Sequence, residues 1–94
     1  MRILYTVLKM NAQEISRSVE RGRREFIKRF ISWLFREEDG VEIESIRRKS
    51  SRNKIYDVVV KVYSGGGYVT EYYEFILQVT NDCRIRILRK EYLG

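Results

Sequence analysis

Residues 55–80 read IYDVVVKVYSGGGYVTEYYEFILQVT, two apolar-rich runs on either side of three glycines. Val, Ile, Tyr and Phe suit a pleated surface, and successive strand side chains point to opposite faces. The two runs are therefore read as strands, Ile55–Tyr63 and Tyr68–Thr80, joined by the turn Ser64-Gly65-Gly66-Gly67. A four-residue turn sets Tyr63 opposite Tyr68. It places Tyr56 against Phe75, Val58 against Tyr73 and Val62 against Val69 on one apolar face. The other face receives Asp57/Glu74, Val59/Tyr72 and Lys61/Thr70, a mixed set. A one-residue slip would scramble this division, so the hairpin assigns one face to a core.

Downstream, Asn81-Asp82-Cys83 reads as a turn and Arg84–Tyr92 as a further strand. A three-residue turn pairs Val79 with Ile85 and Leu77 with Ile87 on the core face. The outer face then carries Gln78/Arg86, Ile76/Leu88 and Glu74/Lys90. Upstream, Val41-Glu42-Ile43-Glu44 alternates cleanly, while Ile46 is out of phase and needs a bulge to reach the same side. The segment Arg47–Lys54 follows, with five positive charges, no acid, and the Ser and Asn content of a loop.

Before these strands, Asn11 to Gly40 carries the period of one long amphipathic helix. Asn11 is the expected N-cap, with Glu14 positioned for a capping box, and Gly40 is the expected stop. Ile15, Val19, Gly22, Phe26, Phe30 and Trp33 fall on one stripe, with Arg17, Arg21, Arg24 and Lys28 nearly opposite. Gly22 costs roughly 1 kcal/mol against Ala and marks a close approach, a kink or a split. Ile27, Ile31 and Phe35 drift off the stripe; either another segment covers them or a second chain does. Arg2–Lys9 reads as a leading strand with apolar residues on both faces.

The order β-α-β-β-β-β predicts an α+β, two-layer domain over residues 1–94, one long helix on a curved antiparallel sheet. Its expected core is Val19, Phe26, Phe30, Trp33, Val58, Val60, Phe75, Leu77 and Ile87. This order resembles the cystatin-like fold, in which a curved antiparallel sheet wraps one helix. Protease-inhibiting cystatins carry a Gln-x-Val-x-Gly loop and a Pro-Trp hairpin. Here those places hold Arg47–Lys54 and Asn81-Asp82-Cys83, and the chain has no proline, so the inhibitory function is not implied. High charge, few amides and abundant Ile, Tyr, Arg and Glu resemble small proteins of hyperthermophilic archaea and their viruses.

Composition narrows the chemistry. With no His and a single Cys83, an internal disulfide, Cys–His or Ser–His catalysis and soft-metal sites are excluded; no enzyme activity and no cofactor are expected. No apolar run approaches the ~20 residues of a membrane span, and Met1-Arg2-Ile3 does not open a signal peptide. A cytoplasmic location is expected, host cytoplasm if the protein is viral. Lys and Arg exceed Asp and Glu by 19 to 13, giving +6 and favouring anionic partners.

In an antiparallel meander alternate loops share one end of the sheet. Arg47, Arg48, Lys49, Arg52 and Lys54 are thus expected within about 10 Å of Arg84 and Arg86, two strand spacings away. A helix antiparallel to the next strand adds Arg17 and Arg21, giving a basic pole for nucleic-acid phosphates. Tyr56, Tyr63, Tyr68, Tyr72 and Tyr73 are candidates for base stacking, although parity sends Tyr56 and Tyr73 inward. Glu37-Glu38-Asp39 is oddly placed at a helix C-terminus, where the dipole disfavours acids. The alternative is a homodimeric assembly module using Val59, Tyr72, Ile76 and Leu88 on the outer sheet face, or Ile27, Ile31 and Phe35 on the helix flank.

Overall fold

The computed structural model describes residues 12–82 and 84–94, with side chains from Ser18 onward. One helix, α1 (Ala12–Leu34), precedes the strands β1 (Gly40–Ser50), β2 (Ile55–Ser64), β3 (Val69–Val79) and β4 (Ile85–Tyr92). They form one antiparallel sheet in the order β1-β2-β3-β4. Side chains of α1 and of one sheet face share a core, so the described chain is α+β. The strand expected at Arg2–Lys9, the Asn11 cap, Glu14 and Cys83 lie outside the described residues or side chains.

The face division follows the alternation. Tyr56, Val58, Val60, Val62, Phe75, Leu77 and Val79 are all buried on the helix side. The central register differs from expectation by two residues: Val58 faces Phe75, Val60 faces Tyr73 and Ser64 faces Val69. The turn is therefore 65–68, where Gly65, Gly66 and Gly67 take φ of 60°, 73° and 89°. Such left-handed conformations suit glycine, and Ser64 stays in the strand. Ile46 reaches the core side as required, through a bulge between Ile43 and Ser45. In β4 the expected pairs Leu77/Ile87, Gln78/Arg86 and Val79/Ile85 form. A bulge at Leu88 then sets Arg89 opposite Ile76 and Lys90 opposite Phe75, so the Ile76/Leu88 and Glu74/Lys90 pairs are not made.

α1 runs unbroken through Gly22. Its fully buried residues are Ile27 and Ile31, flanked by Phe26, Phe30, Leu34 and Phe35. These six spread over roughly half the helix circumference, and the sheet takes the middle of that arc rather than its edge. Trp33 lies about 160° round the helix from Ile31. It is 57% exposed, beside Phe30 and under the Arg36 guanidinium at 4.5 Å, and is not a core residue. Ile87 faces the helix side but is 45% exposed, because β4 is an edge strand among the described residues.

The helix also stops earlier than Gly40, which begins β1 opposite Tyr63. After Leu34 the chain turns, with Arg36 N–H donating to the Trp33 carbonyl and Glu38 N–H to the Phe35 carbonyl. Asp39 is thereby freed from the helix C-terminus. Its Oδ2 accepts the Gly66 and Gly67 N–H groups at 2.7 and 3.1 Å. A carboxylate that the helix dipole would repel instead closes the glycine turn.

Candidate nucleic-acid interface

Both hairpin turns expected at the basic end lie there, and the first is bonded to the end of β3. Val79 N–H donates to the Lys54 carbonyl at 3.0 Å, and Gln78 Nε2 donates to the Asn53 carbonyl at 3.0 Å. The strand order sets the two turns on the same end, one joining β1 to β2 and the other β3 to β4. Lys54 takes φ of 55° to complete its turn, while Asn53 N–H is held by Ser50 Oγ at 3.1 Å. Thr80 holds the other turn through the Arg84 amide, and its hydroxyl bonds Asp82, which keeps the Asp82 carboxyl below the usual range.

Arg47, Arg48 and Lys49 are not in a loop, since β1 extends to Ser50. Regular pairing continues because Lys49 is absorbed as a second bulge. The strand pleat separates the cations. Arg47 faces the open side opposite Asp57, whereas Arg48 faces the helix side opposite Tyr56. There Glu20 of α1 accepts from Arg48 at 3.3 Å, from Tyr56 OH at 2.7 Å and from Arg24 at 2.8 Å. Burial, and then this bond to Glu20, raises the Tyr56 phenol above its ordinary value. Arg24 also donates to the Ile46 carbonyl at 2.8 Å, seating the N-terminal half of α1 over β1.

From that contact α1 crosses the sheet to bring Phe35 against Tyr73 and Phe75 on β3. Its earlier turns thus begin at the basic end. Arg21 is exposed on the helix there, off the open sheet face, and the Arg17 side chain is outside the described set. Arg84 pairs with Asp82 at 3.1 Å. Arg47, Lys49, Arg52, Lys54 and Arg86 make no ion pair among the described residues. Arg86 lies on the open face opposite Gln78, and the Leu88 bulge adds Arg89 opposite Ile76. Arg89 was absent from the expected set. Its signal is the adjacent pair Ile87-Leu88, a break in alternation of the kind that marks the Ile46 bulge.

The open face carries Val59, Tyr72 and Ile76, all half-buried, with Leu88 exposed at the bulge. Lys61 sits between Tyr63 and Tyr72, 5.2 and 5.9 Å from the ring centres, and its bond to Tyr63 raises its ammonium pKa. Tyr56 and Tyr73 turn to the helix side as parity requires, and Tyr68 stands 94% exposed on the glycine turn. Ile27 and Ile31, offered as helix-flank contacts for a second chain, are fully buried within this one. Phe35 packs on the same core, so that flank is not an interface; the sheet has consumed it.

At the centre of the open face, Asp57 and Glu74 lie on neighbouring strands. Hydrogen bonding to Asp57, then burial, raises the Glu74 carboxyl above the usual range, with Glu91 adding to the effect and Arg89 opposing it. Asp57 Oδ1 is buried without a hydrogen-bond partner. Among the described residues no three His, Cys, Asp or Glu are grouped to hold a metal ion, and no helix is long and apolar enough to cross a membrane. In comparison with known proteins, no family model, no curated protein and no solved structure matches this chain.

Proposed function

We propose that this protein is a small non-enzymatic module that binds nucleic-acid phosphates without strong sequence preference. What carries the reading is the set of cations at one end of the sheet that have no acidic partner among the described residues: Arg47, Lys49, Arg52, Lys54 and Arg86. They are spread across the strand ends from β1 to β4, about 14 Å or three strand spacings. That breadth suits a phosphate backbone better than one small anion. Backbone contacts of this kind position a protein on nucleic acid and read no sequence. Arg48 and Arg84 take a lesser part, because Glu20 and Asp82 already bond them. Tyr63, Tyr72 and Lys61 lie on the same open face toward the opposite end and are the remaining candidates for base contact.

Titration of duplex DNA against the protein over a range of salt tests this. Affinity is expected to fall with a log–log slope of roughly −0.9 per phosphate neutralised. Arg47→Ala/Lys49→Ala/Arg52→Ala is expected to flatten that slope by roughly one unit per phosphate contact removed, with unchanged circular dichroism. No binding by the wild type at ~50 mM salt, where such contacts are strongest, would overturn the reading. So would an unaltered slope in the triple variant.

A further inference from the structure

β4 ends the sheet, and among the described residues only β3 pairs with it. Ile87, Leu88, Tyr92 and Leu93 are 45%, 47%, 58% and 51% exposed, so the described residues do not consume its apolar side chains. In an antiparallel ladder, residues alternate between bonding one neighbour and turning N–H and C=O to the other side. Thr80 N–H donates to the Arg84 carbonyl and Leu93 N–H to the Tyr72 carbonyl. Stepping inward from both ends leaves Arg84, Arg86, Arg89, Glu91 and Leu93 bonded toward β3. Ile85, Ile87, Lys90 and Tyr92 therefore present their backbone groups to the free edge.

The Leu88 bulge decides what that edge can meet. Arg86 and Glu91 are an odd number of residues apart and would face opposite sides of a regular strand. With Leu88 as the extra residue both lie on the open face, opposite Gln78 and Glu74. Ile85, Ile87, Lys90 and Tyr92 share the helix face, opposite Val79, Leu77, Phe75 and Tyr73. The edge is then self-complementary about the Leu88–Arg89 step.

We propose that β4 pairs antiparallel with β4 of a second copy of this chain, about a two-fold axis at Leu88–Arg89, joining two sheets into one. Ile85 meets Tyr92 of the second copy, Arg86 meets Glu91 and Ile87 meets Lys90, each twice by symmetry. Ile85/Tyr92 and Ile87/Lys90 are the pairs that exchange backbone bonds. Arg86/Glu91 are the pairs between them, where side chains stand closest and opposite charges stabilise most. Sliding by two residues sets Arg86 against Arg89 one way and Arg89 against Lys90 the other, so the charges select this register. Cations on an edge commonly block such pairing. Here Arg89 bonds Glu91, and Lys90 lies over the Tyr73 and Phe75 rings at 5.1 and 6.0 Å, so both are engaged within their own chain. The proposal does not depend on nucleic-acid binding.

Sedimentation of the full chain without nucleic acid tests it. The wild type is expected to be dimeric at up to ~1 mM, the limit of a weak interface. Arg86→Glu and Glu91→Arg are each expected to be monomeric at the concentration where the wild type is dimeric. The double variant R86E/E91R restores the dimer. Val59→Lys, on the open face away from β4, leaves the dimer intact. A monomeric wild type at ~1 mM overturns the proposal. So do single charge variants that remain dimeric with native circular dichroism, or a double variant that fails to re-form the dimer.

Discussion

Glu74, beside Asp57 on the open face, couples the fold to pH. Glu74 titrates above the usual carboxylate range because Asp57 hydrogen-bonds its neutral form, and burial adds to the shift. A carboxyl with a raised folded-state pKa gives stability that is full below the unfolded pKa and is lost as pH rises through the folded value. The stability that Glu74 contributes is therefore full below about pH 4 and is lost as pH rises through its raised folded value. Glu74→Gln offers an N–H donor to Asp57 Oδ1, which has no partner, and removes the Glu74 titration. The urea midpoint of that variant is expected to vary less between pH 4 and 7 and to exceed the wild type at pH 7; equal slopes would contradict this. Ile31 is the second residue with a measurable signature. It is fully buried, so Ile31→Ala is expected to cost about 2–5 kcal/mol at any protein concentration. An unchanged denaturation midpoint in dilute solution would return Ile31 to an interface.

The turn between β2 and β3 depends on a residue from another element. Asp39 Oδ2 bridges the Gly66 and Gly67 amides across the start of β1, a charge-assisted pair of bonds. Asp39→Ala is expected to lower stability by about 1–3 kcal/mol and to deprotect these two amides in hydrogen exchange while Val58 and Val60 remain slow. Retained protection at Gly66 and Gly67 would assign the turn's order to glycine conformation alone. At this scale the legibility of the sequence has clear limits. Period-two alternation separates Val58 and Val60 from Asp57 and Val59, but a shift of two residues leaves every side chain on its face. Pattern alone thus cannot distinguish Val58/Tyr73 from the observed Val58/Phe75. Gly40 has the look of a helix stop, yet it is a strand residue, because the acids before it favour leaving the helix. Spacing puts Trp33 on the stripe with Phe26 and Phe30, although the apolar arc as a whole centres near Ile27 and Ile31.

For the whole molecule, charge alone makes the basic end legible, since acid-free runs survive any packing. Which cations are neutralised is a tertiary matter: Glu20 bonds Arg48 from 28 residues away, and no spacing rule reports it. Arg89 differs, because it reaches the open face through the bulge at Leu88, which the adjacent pair Ile87-Leu88 signals in the sequence. The meander order has a consequence for how the sheet is built. Every described strand pairs with its neighbour in the chain, and the turns 51–54 and 65–68 are short. Loop-closure entropy at each step is therefore small, and no pairing among the described strands must wait for a distant segment. The sheet can grow outward from the β2–β3 hairpin one strand at a time, with low contact order and the speed that accompanies it. Docking α1 is the long-range step, and the contacts that complete it are Ile27 and Ile31 in the core and Glu20 on Tyr56.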